Sequence, residues 1–263
     1  MRSRYLSELT TPEVEEYLSR GGGTALLPVG CVEMHGPHQP IGTDTLIAQA
    51  FALEVAKAGD GLVLPEIHYT WAGSTDGFAG TISVEPELVQ KTVEAVAVKV
   101  FRMGFLRLVV VSIHALNECP LVLTVRRFYE EYHKPALYVT PYKPFTEGAL
   151  ALFAGEYGRS KEASVVLAAL HLLGKPTLYS EEEMRYDDES PLGNRSKRAI
   201  NPFGVVGYFM SDPRQHACPS RYVSLERGLE FMRFQVEAFL PVLDHLDGYA
   251  EYTEMQANQG WWA

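Results

Sequence analysis

The chain has 263 residues, of which 46% are hydrophobic, and a formal net charge of -10 at pH 7. A chain of this length and hydrophobicity can bury a substantial core, which excludes a disordered protein. The negative charge argues against nucleic acid as a partner, because phosphate binding needs clustered Lys and Arg, but it does not exclude a small anionic substrate.

Along the chain, short apolar runs alternate with longer segments of helical periodicity. Four apolar runs are typical of buried strands: 24–29, 61–64, 106–111 and 136–140. Five segments predict helices after the first of these strands: 45–57, 86–103, 118–132, 161–173 and 225–246. The polar region 179–221, rich in Pro and Gly, predicts long loops.

This alternation predicts the α/β class, as a single-domain three-layer α/β/α sandwich with a mostly parallel sheet. No internal repeat or low-complexity linker divides residues 1–263, so we expect one domain. Three scattered cysteines (Cys31, Cys119 and Cys218) indicate reduced thiols rather than a disulfide framework. Neither a signal peptide nor a membrane-spanning run is recognisable, so we expect a cytoplasmic protein without a membrane partner.

The segment 29–45, VGCVEMHGPHQPIGTDT, directly follows the first predicted strand and is rich in metal-ligating residue types. In open α/β sheets, ligands bind beyond the carboxyl ends of the strands. Residues two apart in an extended chain point to the same side, so Glu33 and His35 can face one site, and Asp44 returns before the next helix. Such a mixed oxygen and nitrogen set suits Zn, Mn or Fe. Alternatively, Asp44 only caps the helix and the histidines are solvated.

A second candidate ligand, His114, lies just past the clearest strand, in LRLVVVSIHALNECP. Asn117 is placed to cap the following helix, and Pro120 fits its first turn. His114 is either a hydrogen-bonded core histidine or part of the same site as the first segment. Because two strand ends carry such residues, the pattern favours one shared metal site.

The stretch LLPVGCVEMHGPHQPIGTD resembles the signature of the creatininase family, which is close to LPVGSxEQHGPHLPLGTD. Further segments, among them GFAGTISV, EASVVLAAL and GVVGYFMSDPRQHACP, resemble other family segments, so that the resemblance runs over most of the chain. It implies a single α/β domain, two divalent metal ions (Zn, Mn or Fe) and homo-oligomers, often hexamers.

By this resemblance, Glu33 and His114 hold one metal ion, His35 holds the other, and Asp44 bridges both. Two ions about 3.5–4 Å apart share a hydroxide and polarise the carbonyl that it attacks. Glu162 corresponds to the first residue of the family's E-T-S motif, which makes it a candidate ligand and catalytic residue. Its alternative role is that of a charged residue stabilised by the helix dipole.

The chain departs from the family at two important positions. In creatininase proper, a glutamate two residues after the histidine completes the second metal site, but Leu116 stands there in this chain. Glu118, four residues after His114, is a lower-ranked alternative ligand. Tyr157 takes the place of a family histidine implicated in proton transfer, and a tyrosine can donate a hydrogen bond to an oxyanion but is a poor base near neutral pH.

Several residues are candidates for the substrate pocket. Trp71, Ser74 and Asp76 lie in HYTWAGSTDGFAG, although Trp71 equally fits a core aromatic residue. Arg159 adds positive charge for an anionic or polyhydroxy substrate, or else lies on the surface. His38 repeats a family position and either acts in the site or stabilises a turn.

Two other residues of ligand type receive little weight. His216, in DPRQHACP, is a weak candidate for a subunit contact or a pocket rim. Cys31 stands where the family usually has a small residue, and we assign it no chemistry.

The resemblance implies a small-molecule hydrolase and leaves three functions open. The first is an amidohydrolase whose metal-bridged hydroxide attacks a small cyclic amide or a related C–N substrate. The second is a ring-opening C–C hydrolase of a cyclic keto-polyol of keto-inositol type, which the loss of the family histidine favours. The third is a catalytically silent scaffold that retains the fold.

Overall fold

The computed structural model describes residues 1–21, 23–187, 205–216 and 220–259, except for the side chain of Ala250. Within the predicted loop region 179–221, the described residues form turns, irregular segments and one short 3-10 helix at Pro213–Gln215. Residues 188–204 and 217–219, which include Cys218, lie outside the described part of the chain.

The sheet has four parallel strands in the order β2-β1-β3-β4. These strands are β1 (Thr24–Pro28), β2 (Gly61–Val63), β3 (Arg107–Val111) and β4 (Ala136–Val139). All four strands were predicted, and each end lies within one residue of its predicted position. Their apolar, β-branched composition suits strands that are covered on both faces.

Seven α-helices accompany the sheet in the described residues. They are α1 (Thr11–Ser19), α2 (Thr43–Ala58), α3 (Pro86–Met103), α4 (Glu118–Tyr132), α5 (Glu147–Leu152), α6 (Lys161–Leu172) and α7 (Leu225–Asn258). None of the helices in the described part of the chain combines the length and apolar composition needed to cross a membrane.

The predicted end of the last helix, at residue 246, is wrong, because α7 continues to Asn258. The added turns pack against α4, where the rings of Tyr129 and Tyr249 lie 5.7 Å apart. In the same contact, the hydroxyls of Tyr129 and Thr253 are 3.1 Å apart. The last turns of α7 have a weak apolar pattern, but they remain helical because α4 packs against them.

Side chains of each strand alternate between two cores, as the pleat requires. Leu26 and Val109 pack with α2, α6 and α7 on one face, whereas Leu27 and Val110 pack with α1, α3 and α4 on the other. The predicted three-layer α/β/α fold with a parallel sheet is thereby confirmed.

The sheet has a topological switch point between β1 and β3. The chain leaves β1 towards α2 on one face, whereas it leaves β3 towards α4 on the opposite face. The two connections diverge and open a crevice beyond the carboxyl ends of these neighbouring strands, where ligands bind in open α/β sheets.

Candidate metal centre

The loop after β1 is pinned against its surroundings at Gly30. Its carbonyl accepts hydrogen bonds from Thr70 Oγ1 at 2.7 Å and from Asn117 Nδ2 at 2.9 Å. A Cβ atom at Gly30 would lie 1.9 Å from Thr45 Oγ1, so the absence of a side chain lets the loop touch the start of α2. This contact brings Asp44 next to the end of β1.

The alternative in which Asp44 only caps α2 is wrong, because Gly42 holds the N-cap position and Asp44 lies inside the first turn. Asn117 occupies the N-cap position of α4, as predicted, but its side chain makes no capping hydrogen bond. Instead, Asn117 Nδ2 donates to Gly30 O and to Ser112 Oγ and so ties the ends of β1 and β3 together.

The structure brings the four predicted ligands Glu33, His35, Asp44 and His114 into one buried cluster, each no more than 6% exposed. Nδ1 of His114 lies 2.8 Å from Glu33 Oε1 and 3.1 Å from Asp44 Oδ2. Nε2 of His35 lies 3.4 Å from Asp44 Oδ1 and 4.0 Å from Glu33 Oε1. The two oxygens of Asp44 therefore face different imidazoles.

Hydrogen bonds outside the cluster orient its side chains. The Nε2–H of His114 donates to the carbonyl of Trp71 at 2.9 Å, and the Nδ1–H of His35 donates to the carbonyl of Glu33 at 3.1 Å. Each bond leaves the other ring nitrogen facing the cluster, as in a metal-ligating histidine. Thr75 Oγ1 donates to Glu33 Oε2 at 2.5 Å and fixes that carboxylate.

The electrostatics of the cluster suit a cation. Burial opposes charge on His35 and His114, but nearby carboxylates outweigh it. Asp44, Glu162 and Glu33 raise the pKa of His35 to about 9, and Asp44 and Glu33 raise the pKa of His114 well above its usual value. Burial likewise opposes charge on Asp44, yet the two imidazoles hold the pKa of its carboxyl well below the usual range. The carboxylates thus draw protons that a bound divalent ion would displace.

Among the described residues, ligand-type atoms form two overlapping groups whose members lie within 4.8 Å of one another. One group comprises Cys31, Glu33, Asp44 and His114, and the other comprises Glu33, His35 and His216. Cys31 and His216 are the members for which no metal role was predicted. Cys31 could have been predicted, because it precedes Glu33 by two residues, the same spacing that places Glu33 and His35 on one side of the chain. No local signal in the sequence indicates His216.

A cavity of about 700 Å³ opens beside the cluster. The predicted pocket residues Trp71, Ser74 and Asp76 line it, as does Glu162, which was predicted as a ligand and catalytic residue. The rest of the wall includes apolar side chains and His216, so the cavity combines a hydrocarbon surface with a few polar groups, as small-molecule sites do.

Two of the remaining candidates lie near the cluster without joining either group. Glu162, in the first turn of α6, accepts a hydrogen bond from Gln39 Nε2 at 3.2 Å. His38 stacks on Tyr186 with ring centroids 5.0 Å apart. Burial, and to a smaller extent the nearby His216 and His35, lower the pKa of His38 to about 4.

Three candidates lie outside the cavity lining. The ring of Tyr157 packs 5.3 Å from that of Tyr222 and lies 3.8 Å from the guanidinium of Arg227. Arg159 is exposed on the same short turn.

Glu118 is the third of these candidates, and its predicted relation to His114 assumed a continuous helix. A 3-10 turn at Ala115–Asn117 intervenes, and Glu118 points to solvent and pairs with Lys143 at 3.3 Å.

Residues 7–217 match the model of the creatininase family, described as creatinine amidohydrolase. Creatinine amidohydrolase of Pseudomonas putida is 31% identical over 126 residues, which are 46% of this chain and 48% of that protein. Mycofactocin precursor peptide peptidase of Mycolicibacterium smegmatis (strain ATCC 700084 / mc(2)155) is 43% identical over 65 residues, or 22% of this chain and 26% of the peptidase. For 3-dehydro-scyllo-inosose hydrolase of Thermotoga maritima, the identity is 25% over 136 residues, or 51% of this chain and 43% of the hydrolase. The chain thus matches about half the length, or less, of these curated relatives.

Solved structures support the fold. A creatininase crystal structure superposes with a TM-score of 0.75 at 23% identity, covering 93% of this chain and 98% of the other. Two further creatininase structures, each at a TM-score of 0.74 and 22% identity with the same coverage, are described as a manganese form and a Zn-Zn type. With the family model matched from residue 7 to residue 217, the signature resemblance is confirmed, and the chain belongs to the creatininase family.

Proposed function

We propose that the protein is a metal-dependent hydrolase with a dinuclear centre, which cleaves a C–N bond beside the carbonyl of a small cyclic amide or a related substrate. The observation that carries this proposal is the buried cluster of Glu33, His35, Asp44 and His114 at the switch point, next to a cavity of about 700 Å³. Membership of a family described as creatinine amidohydrolase supports the reaction class.

In this proposal, Glu33 and His114 would hold one ion, His35 would hold the other, and Asp44 would serve both. The separation of the two Asp44 oxygens between two imidazoles, at 3.1 and 3.4 Å, supports the bridging role. Divalent ions at such a centre supply Lewis acidity and a hydroxide nucleophile near neutral pH. Zinc and manganese are the ions described for structural neighbours of this chain.

The protein's own groups bind and orient the substrate. Trp71 offers a flat apolar surface in the cavity wall, while Ser74 and Asp76 offer polar contacts. We assign proton transfer to Glu162, because its carboxylate lines the cavity and is held by Gln39. A carboxylic acid there can protonate a leaving nitrogen, a role for which Tyr157 is poorly placed.

A second candidate is ring opening of a cyclic keto-polyol by C–C cleavage. The relative described as 3-dehydro-scyllo-inosose hydrolase favours it, since a keto-inositol is a substrate of this kind. A silent scaffold is the third candidate, but it would have no use for four buried ligand-type residues. We also retain the proposal of a homo-oligomer, which sedimentation of the purified protein tests.

The test is turnover of zinc- or manganese-loaded protein on a panel of cyclic amides, cyclic ureides and cyclic keto-polyols. Ring opening of the amides or ureides is the expected result. Glu162→Gln should abolish it, whereas Glu118→Gln, which changes an exposed carboxylate outside the cavity, should not. Turnover of keto-polyols alone would establish the second candidate instead. A fully metal-loaded protein inactive on every compound would contradict both.

A further inference from the structure

We infer that His216 is a ligand of the second metal ion, in the position that Leu116 cannot fill. This inference rests on the proposed dinuclear centre. In creatininase proper, a glutamate two residues after the histidine that matches His114 holds that position, but this chain has a hydrocarbon side chain there. Leu116 lines the cavity and packs so closely on Gly73 that a Cβ on that glycine would lie 2.3 Å from Leu116 Cδ1.

The geometry places His216 on the His35 side of the cluster. Its ring centroid lies 4.9 Å from that of His35, with the planes inclined at 56°. One ligand atom each of His216, His35 and Glu33 lie within 4.8 Å of one another, so the two imidazoles are close enough to hold the same ion. Glu162, the other candidate for this ion, falls outside this group, although it lines the same cavity.

A short structured turn holds His216 in place. His216 directly follows the 3-10 helix Pro213–Gln215, whose start is fixed by the Asp212 carboxylate accepting from the Arg214 amide at 2.9 Å. The Ser211 amide donates to the Gln215 side chain at 2.8 Å and closes the same turn. The imidazole is therefore presented by a constrained segment rather than by an extended one.

The nitrogen chemistry of His216 also points to a ligand. Its Nδ1 is buried and makes no hydrogen bond to any of the described residues. Burying such a nitrogen without a partner costs about 1–3 kcal/mol. Neither a subunit contact nor an ordinary core position explains why the protein would tolerate this cost. Coordination of a divalent ion would use this nitrogen.

The substitution of an imidazole for a carboxylate has a consequence for metal choice. It removes one negative charge and makes the second site richer in nitrogen, with His35 and His216 both contributing. Nitrogen-rich sites favour Zn, whereas carboxylate-rich sites suit Mn. The second site should therefore prefer zinc over manganese more strongly than a site completed by glutamate.

The experiment measures metal ions per chain after equilibration with buffered zinc, and thermal unfolding with and without zinc. Wild type should hold two ions, His216→Ala one, and the control His245→Ala, which removes an exposed imidazole on α7, two. His216→Gln, which keeps much of the side-chain volume, should also hold one. The double variant of His35 and His216 to alanine should lose no more zinc than His35→Ala alone, because both residues serve the same ion.

A purely structural role for His216 predicts different results. In that case His216→Ala would lower the unfolding temperature of the metal-free protein while still binding two ions. We expect the metal-free unfolding temperature not to fall, because the substitution removes an unpartnered buried nitrogen, and we expect the increase caused by zinc to shrink. Two ions bound with unchanged affinity in both His216 variants would overturn the inference but leave the dinuclear proposal standing. Fewer than two ions in the wild type would overturn the dinuclear proposal, and the inference with it.

Discussion

Gly30 lies where the loop after β1 touches α2, and we predict that Gly30→Ala destabilises the protein and weakens metal binding. A Cβ atom there would lie 1.9 Å from Thr45 Oγ1 and 2.5 Å from Thr45 Cα, far inside van der Waals contact. The loop cannot retreat, because Thr70 and Asn117 both donate to the Gly30 carbonyl. Thr45 must therefore move, and the neighbouring Asp44 moves with it.

The magnitude follows from two opposing terms. Overpacking a well-packed site costs about 1–3 kcal/mol, and the high end applies to Gly30 because a contact with backbone cannot be relieved by a rotamer change. Alanine also restricts the unfolded chain, which returns about 0.4–1 kcal/mol. We expect a net loss of about 2 kcal/mol, which corresponds to a decrease in unfolding temperature of roughly 4–8 °C.

The assay is thermal unfolding of the metal-free protein by circular dichroism, followed by measurement of zinc content. The matched control is Gly42→Ala, a glycine of the same loop that has no atom within 4 Å of a Cβ and a φ of -96°. The control should stay within about 0.5 kcal/mol of wild type, because loss of a glycine N-cap and gain from a stiffer unfolded chain nearly cancel. Equal unfolding temperatures and zinc contents for the two variants would refute the steric reasoning.

Three further predictions test the site and its support. Asn117→Ala removes the buried amide that joins the ends of β1 and β3, and should cost about 1–3 kcal/mol in urea unfolding; an unchanged midpoint would contradict the role of this bond. Gln235→Leu leaves the carbonyls of Pro141 and Lys143 and the amide of Phe145 without their buried partner. It should lower the free energy of unfolding by about 3 kcal/mol or more. The control Gln259→Leu, at an exposed position, should change it little. Asp44→Ala should lower metal content at both sites and His35→Ala mainly at one; the same content in wild type and the Asp44 variant would refute the bridging role.

Much of the fold was predictable because its signals are local. The run LRLVVVS is apolar on both sides of the strand and must therefore be covered on both. In the structure, β3 lies in the middle of the sheet, with Leu108 and Val109 facing opposite cores. The end of α7 was not predictable in this way. Its last turns are held by contacts of Tyr249 and Thr253 with Tyr129, and the partner lies more than a hundred residues away in the sequence.

The residues of the candidate site also differ in whether a local signal predicts them. Glu33 and His35 were found from spacing on an extended segment, and His114 from its place at a strand end. The relation of His216 to His35 depends on a turn about 180 residues further along the chain, so no spacing rule could reveal it. The error on Glu118 has the same origin, since the 3-10 turn before α4 changed the direction of a carboxylate that a continuous helix would have aimed at His114.

The energetics of the cluster bear on whether the protein is a silent scaffold. Glu33, His35, Asp44 and His114 are nearly inaccessible to water, and removing each charged group from water costs several kcal/mol before any attraction between them is counted. Replacing such a buried set by apolar side chains of similar volume is often neutral or stabilising. A protein that uses only the fold would therefore gain stability from losing these residues. This chain has all four residues, both imidazoles are oriented by carbonyls, and Glu33 is fixed by Thr75. Such an arrangement is expected where bound cations balance the buried carboxylates and a reaction requires the cations.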